Sequence, residues 1–194
     1  MIELQLPVSE EEIRKLRVGD EVGINGTMIT ARDAAHKYLI EESPDFIRSY
    51  LENSLIYHCG PVVKQSAGKW SFVAAGPTTS IREEPYEATV IQNYQVRGVI
   101  GKGGMGEKTL SALKEYGAVY LHAIGGLATL LAESVQEVKD VFMLDEFGVP
   151  EAMWVIEVKN FPVVVTMDSH QKSLHSKIKA DSREAAQRLI HPVM

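Results

Sequence analysis

Four side chains in this sequence combine a charge or a hydroxyl with neighbours small enough to let a ligand approach the backbone. Gly76-Pro-Thr-Thr-Ser-Ile-Arg82 contributes Thr78 and Arg82, Ile100-Gly-Lys-Gly-Gly-Met-Gly106 contributes Lys102, and Thr30-Ala-Arg-Asp-Ala-Ala-His36 contributes Arg32. An arginine grips a carboxylate through two parallel hydrogen bonds, and a lysine adds a point charge. Each cation falls at the expected terminus of an element, where backbone N–H groups lack partners and favour anions. If the three segments meet, their cations suit a small dicarboxylate. Thr78 becomes a proton acceptor only where neighbouring cations lower its pKa. Taken singly, the cations are surface charges and Thr78 and Thr79 are helix caps.

Other chemistries fit less well. Gly101-Lys-Gly-Gly-Met-Gly106 matches the G-x-G-x-x-G of dinucleotide sites, but the acidic residue expected about 20 positions on is missing from Ala123-Ile-Gly-Gly-Leu-Ala128. Val99-Ile-Gly-Lys-Gly-Gly104 is similar to the G-x-x-G loop of RNA-binding KH domains, against which stands the acidic chain. No G-x-x-x-x-G-K-[ST] is present. His58 and His122, at strand ends, are expected to be packing residues, and Cys59 a small buried one. Asp168-Ser-His170 has triad residue types without triad spacing or a nucleophile elbow.

Composition narrows the choice further. The 194 residues are 45% apolar, enough for a proper core, with a net charge of −6 and a pI near 5.5. Nucleic acid and anionic membranes are therefore poor partners. No apolar run approaches the roughly 18 residues of a membrane span, and Met1-Ile-Glu-Leu-Gln-Leu lacks the features of a leader. One cysteine excludes an internal disulfide, fits a reducing cytoplasm, and cannot by itself supply the thiolates of an iron–sulfur site.

The elements that must position these residues are legible in outline. Residues 2–7 alternate as a strand, and Ser9 with Glu12 forms a capping box opening a short helix through Arg17. Residues 21–30 suggest strands joined by an Asn25-Gly26 hairpin. Helical periodicity over 31–42 places Arg32 in a first turn. Strands follow at 54–59 and 70–75, a helix at 84–93, a strand at 96–100 leading into the glycine loop, a helix at 108–116, a strand at 119–122 and a helix at 126–133. Strands at 138–144, 153–158 and 161–167 and a polar helix at about 182–190 close an α/β domain of mixed sheet, expected over residues 1–194.

Seven stretches are familiar as a set. They are Gly26-Thr-Met-Ile-Thr-Ala-Arg-Asp-Ala-Ala-His36, His58-Cys-Gly-Pro61, Ala75-Gly-Pro-Thr-Thr-Ser-Ile-Arg82, Ile100-Gly-Lys-Gly-Gly-Met105, Tyr120-Leu-His-Ala-Ile-Gly-Gly126, Glu146-Phe-Gly-Val-Pro-Glu-Ala-Met-Trp154 and Val165-Thr-Met-Asp-Ser-His170. Together they resemble the C-terminal domain of class I fumarate hydratases, above all the form in which it is a separate β subunit. The resemblance implies a single swivelling β/β/α domain with a mixed sheet. It also implies a partner α subunit that holds a [4Fe–4S] cluster on three cysteines, in an α2β2-type heteromer of the cytoplasm. By the family pattern Arg32, Arg82 and Lys102 bind the carboxylates of a C4-dicarboxylate substrate, Thr78 is the catalytic base, and the reaction interconverts malate and fumarate. L-tartrate dehydratase β subunits are close neighbours within the family, although Thr30-Ala-Arg32 and Leu121-His-Ala-Ile-Gly-Gly126 look more like the fumarase version. A non-catalytic module for small dianions is the rival of another class; a β subunit should instead expose an apolar patch beside the arginines. Gln171 departs from the pattern, standing where the family's glycine is expected.

Overall fold

Apolar residues alternate along the longer strands, and the two alternating sets face different cores. In the computed structural model, which describes residues 1–190, Ile24, Met28, Ile100, Leu121, Trp154, Ile156 and Val165 point into one apolar cluster. Their neighbours Ile29, Val99, Tyr120, Met153, Val155 and Met167 point into a second, shared with helices. A strand buried on both faces reads as such an uninterrupted apolar run.

The elements follow in the order β1 (Ile2–Gln5), α1 (Glu10–Ile13), β2 (Glu21–Thr30), α2 (Asp33–Glu41), α3 (Arg48–Leu51), β3 (Leu55–Tyr57), β4 (Val62–Ser66), β5 (Lys69–Ala74) and α4 (Glu87–Tyr94). Then come β6 (Gly98–Gly101), α5 (Glu107–Tyr116), β7 (Val119–His122), α6 (Ala128–Glu133), β8 (Val135–Phe142), α7 (Leu144–Phe147), β9 (Met153–Met167) and α8 (Leu174–Ile190). Strands β1, β2, β3, β6 and β7 pair in parallel. Strand β9 runs antiparallel to both β7 and β2, so β2, β3, β6, β7 and β9 form a closed ring. The fold is α/β with a mixed sheet, as expected. Leu39, Ile47, Leu51, Val90, Ile91 and Leu113 bring α2 to α5 onto the outer face of the ring.

Three expectations change. Asn25-Gly26 makes no hairpin: β2 is continuous and the pair forms a bulge against β9. Gly26 adopts φ +107°, and a Cβ there would stand 2.7 Å from the Leu6 carbonyl oxygen. The positive φ expected of a turn thus bends a strand instead. The two strands at 153–158 and 161–167 are one, β9, which bends opposite that bulge where Asn160 has φ +51° and its N–H bonds Asn25 Oδ1 at 2.9 Å. The closing helix begins at Leu174 rather than 182, and residues 191–194 lie outside the described structure. Strand β4 was not expected at all. It pairs with β5 through a two-residue turn at Ala67 and Gly68, both at positive φ, and the hairpin packs Trp70 and Phe72 edge-on against Trp154.

Gln171 has φ +66°, the left-handed region that glycine enters freely. Its Oε1 accepts a hydrogen bond from Lys114 Nζ at 3.0 Å, across an exposed surface. That bond contributes little there, whereas the left-handed backbone costs about 1 kcal/mol. Gln171→Gly is therefore expected to raise Tm by about 2–4 °C. Thermal unfolding that shows a lower Tm for the variant would make the Lys114 contact the stronger term.

Candidate active site

Parallel strands in one sheet end on the same side, and that edge is where α/β folds bind ligands. Here the four parallel strands β2, β3, β6 and β7 deliver, just past their carboxyl ends, Arg32, the His58-Cys59-Gly60 turn, Lys102 and His122. The Thr78 loop arrives from β5 and is stitched between them. Thr78 N–H and Oγ1 both donate to the His58 carbonyl, at 2.7 and 3.0 Å. Lys102 N–H donates to the Thr78 carbonyl at 3.1 Å and Ser80 N–H to the Lys102 carbonyl at 3.0 Å. Gly60 is there because a Cβ would lie 2.6 Å from the Arg32 guanidinium, and Gly101 because one would lie 1.9 Å from Ser80 Oγ. The three sequence segments do meet, and Thr78, Arg32 and Lys102 are half-buried at their junction.

The reason given for an anion there needs correction. Arg32 is the N-cap of α2 rather than part of its first turn, and the helix N-termini are not open. Glu151 Oε2 accepts from Ala34 N–H at 3.1 Å, capping α2. Glu84 takes the N–H groups of Gly106, Lys108 and Thr109 at 2.7, 3.1 and 3.3 Å, closing the start of α5. A dinucleotide pyrophosphate on the glycine loop would have to displace that carboxylate, so the G-x-G-x-x-G reading fails on geometry. Side chains, not helix ends, remain to bind an anion.

Those side chains rest on carboxylates of their own. Arg32 lies 3.2 Å from Glu151 Oε1, and Arg82, whose side chain is 54% exposed, pairs with Asp33. Among the described residues Lys102 has no carboxylate within ion-pair distance; its stem passes Gly125, where a Cβ would lie 3.7 Å away. Asp33 in turn contacts Glu83, whose two buried carboxyl oxygens meet no N–H or O–H donor among the described residues. Such a group carries its proton. Burial, then its hydrogen bond with Asp33, pushes Glu83 up to about 8. Burial opposes ionisation of Asp33 too, but the Glu83 hydrogen bond and the Arg82 charge outweigh it and hold its pKa below the usual value.

Under this surface lies a set of polar residues that sequence reasoning missed. Glu87 Oε2 is 3.0 Å from both His36 Nε2 and His58 Nε2, all three side chains fully buried. Alone, burial would raise Glu87, but the charge of the adjoining His36 and the hydrogen bond from His58 bring it to about 2. Burial also disfavours the imidazolium of His36, which Glu87 reverses, raising its pKa; at His58 burial prevails and lowers it. These are the donor types of a metal site, here with a charge-assisted hydrogen bond between His58 and Glu87. His36 stands at ion-pair distance, its Nε2 and Glu87 Oε1 having no hydrogen-bond partner among the described residues. The only local signal was the spacing of His36 four residues after Arg32. His122, by contrast, stands half-buried at the mouth, neutralised by burial. Cys59 is buried as expected, its thiol pushed up to about 12. Asp168 accepts from the N–H groups of Val18, His170 and Lys172 at 3.2, 2.9 and 3.1 Å, a structural role that disposes of the triad.

Because Glu83 keeps its proton in the fold well above the unfolded carboxyl value of 4.5, the folded state binds more protons between pH 4.5 and about 8. Its contribution to stability therefore falls as pH rises through that window. Glu83→Gln should shrink the loss of stability between pH 5 and pH 8, measured by urea unfolding of both proteins. Equal losses in the two would show that Glu83 is ionised in the fold.

Comparison with known proteins identifies a family. The chain is 53% identical over 194 residues to a Geobacillus stearothermophilus protein provisionally named fumarate hydratase class I, covering all of this chain and 37% of that protein's length. It is 42% identical over 186 residues to a Methanocaldococcus jannaschii protein provisionally named L(+)-tartrate dehydratase subunit beta, covering 94% of this chain and 95% of the relative. The L(+)-tartrate dehydratase subunit beta of Escherichia coli is 37% identical over 185 residues, covering 93% and 91%. The family model described as Fumarase C-terminus matches residues 1–178. The chain belongs to the fumarase C-terminus family.

Proposed function

We propose that this protein is the β subunit of a heteromeric hydro-lyase that interconverts malate and fumarate, supplying the carboxylate-binding half of the active site. The observation that carries the proposal is the meeting of Arg32, Thr78, Arg82 and Lys102 at one sheet edge, through backbone hydrogen bonds between three distant segments. Names among the relatives support a hydratase or dehydratase and divide between fumarate and tartrate. Thr30-Ala-Arg32 and Leu121-His-Ala-Ile-Gly-Gly126 favour the first.

Elimination of water from malate removes a weakly acidic C–H proton and expels hydroxide, and negative charge builds on the adjoining carboxylate. Arg32, Arg82 and Lys102 are placed to hold the two carboxylates and to stabilise that charge once water is excluded. In this proposal Thr78 takes the proton. To do so it must first lose its own hydroxyl proton to solvent, since the His58 carbonyl that the hydroxyl donates to is no proton sink, and the surrounding cations must favour the alkoxide left behind.

The chain's own residues do not fit an iron–sulfur cluster, its single thiol being buried and protonated at neutral pH. We therefore assign the [4Fe–4S] cluster to an α subunit partner. Incompleteness shows at the site itself. Ile81, next to the Ser80 that bonds the Lys102 carbonyl, is 50% exposed. Ile124, Leu127 and Leu130, in and after the segment that the Lys102 stem passes at Gly125, are 54%, 38% and 49% exposed. Exposed apolar residues beside an open cationic site favour a subunit that closes on a partner over a stand-alone dianion module.

The test is an anaerobic assay of malate, fumarate and L-tartrate, using this chain alone and then assembled with its cluster-reconstituted partner. Turnover of malate and fumarate by the complex alone is expected. Arg82→Ala should lower kcat/KM by about 100-fold or more, roughly 3 kcal/mol of transition-state stabilisation, without loss of assembly. Thr78→Val should lower kcat far more than it changes KM. Turnover of tartrate instead would move the substrate, and absence of any partner-dependent turnover would overturn the proposal.

A further inference from the structure

The buried residues beneath the site join two of its three segments, and the reaction just described does not use them. His36 comes from α2, His58 from the turn after β3, Ser80 from the Thr78 loop, Glu87 from the first turn of α4 and Tyr120 from β7. Their bonds run in one direction. Tyr120 OH donates to Ser80 Oγ at 2.8 Å, and Ser80 is 2.9 Å from His58 Nδ1. Nδ1 of His58 therefore accepts, and its Nε2–H donates to Glu87 Oε2 at 3.0 Å. From the other side His36 Nε2 lies 3.0 Å from the same oxygen, an ion-pair contact without hydrogen-bond geometry, and its Nδ1–H donates to the Arg32 carbonyl at 2.9 Å. The Arg32 carbonyl also receives the His36 backbone N–H at 2.9 Å, and the His58 carbonyl receives both bonds from Thr78.

We propose that Glu87 is a positioning residue for the hydro-lyase reaction: one of its oxygens hydrogen-bonds His58 and stands at ion-pair distance from His36, tying the Arg32 backbone to the Thr78 loop. The proposal rests on the function argued above. A purely structural filler would be cheaper as apolar side chains, because burying ionisable groups costs several kcal/mol per charge unless each is paired. Here the charges complement one another: the rings hold Glu87 as a carboxylate, Glu87 raises His36 towards imidazolium, and burial lowers His58 towards the neutral ring. The start of α4 also favours the negative charge. Only one tautomer of His58 satisfies both Ser80 and Glu87, so the ring cannot turn without breaking a bond, and its backbone carries Thr78. Partners that orient a reacting group from behind typically change activity by about 10–100-fold when removed.

The test uses the enzyme assembled with its cluster-bearing partner. Glu87→Gln keeps the volume and removes the charge, so it no longer holds an imidazolium at His36. Nitrogen-15 NMR at about pH 6.5, the ordinary histidine value, is expected to show His36 mostly doubly protonated and His58 mostly neutral in the wild type, and a smaller protonated fraction at His36 in the variant. Kinetics should show kcat lower by about 10–100-fold with KM for malate changed less than threefold. Ser80→Ala, which leaves Glu87 in place, should lower kcat by about tenfold, and it decides the matter if Glu87→Gln does not fold. The proposal falls if both variants, or the one that folds, match the wild type in kcat and KM. It falls equally if wild-type His36 is neutral, or if one zinc per chain co-purifies with the wild type and is lost in Glu87→Gln. An assembled wild type that turns over neither malate nor tartrate overturns the hydro-lyase reading and this proposal together. Failure of the proposal alone is distinct from that, because the wild type then turns over normally.

Discussion

Strand β2 has to satisfy hydrogen bonds along both edges with three different partners, and the rest of the molecule depends on its doing so. One edge carries β1 beside Val22 to Asn25 and β3 beside Ile29 and Thr30; the other carries β9 from Glu21 to Ile29. No flat strand serves both, because closing a sheet on itself demands tilt and local bending. The bulge at Gly26 and the matching bend at Asn160 supply it. Once the ring is closed, the ends of β2, β3, β6 and β7 have nowhere to go but one rim. Arg32, His58, Lys102 and His122 are neighbours for that reason, and their chemistry is a consequence of topology before it is one of side-chain packing.

The rim concentrates features that the rest of the chain avoids. The protein is acidic overall, with a net charge of −6, yet three cations gather here. Four ionisable side chains, His36, His58, Glu83 and Glu87, are buried just beneath. Isolated, each would be expensive in an apolar interior; His36, His58 and Glu87 offset one another's charge, and Glu83 keeps its proton beside Asp33. Polar burial that carries its own charge balance differs from the interior of the ring, where Trp154, Phe161 and Tyr57 pack as apolar bodies with edge-on ring contacts.

How much of this was visible beforehand depends on whether the signal was local. The cations were visible because small residues surround them, and β7 was visible to the residue because Val119 to His122 sits between a glycine and an alanine–isoleucine–glycine turn. Strand β4 was hidden because it is largely exposed and its sequence, Val62-Val-Lys-Gln-Ser, lacks a buried face of its own. Lys159-Asn160 looked like a break because polar residues interrupt an apolar run, although the strand continues through them. An Asn-Gly pair encodes a positive φ without saying whether a turn or a bulge will use it. The counter-charges were least legible. Glu151 reaches Arg32 from 119 positions away and Asp33 reaches Arg82 from 49, and no short pattern records such a pairing. Gln171 shows the converse: the expected glycine correctly marked a left-handed backbone position, even though another residue occupies it.

The carboxylates already seated on Arg32 and Arg82 make ligand entry an exchange of counter-ions and not a simple addition of charge. A small monoanion would swap an intramolecular partner, held at high effective concentration, for one drawn from solution, and would lose by the trade. A molecule with two carboxylates at the right separation replaces both residents at once and gains Lys102, the cation with no resident of its own. The number of ion pairs changes little in that exchange, so affinity should vary less with ionic strength than three bare cations would suggest. On the proposed function, selectivity against small monoanions would then lie in the resting protein itself, whose two arginines already hold carboxylates that only a bidentate competitor replaces together.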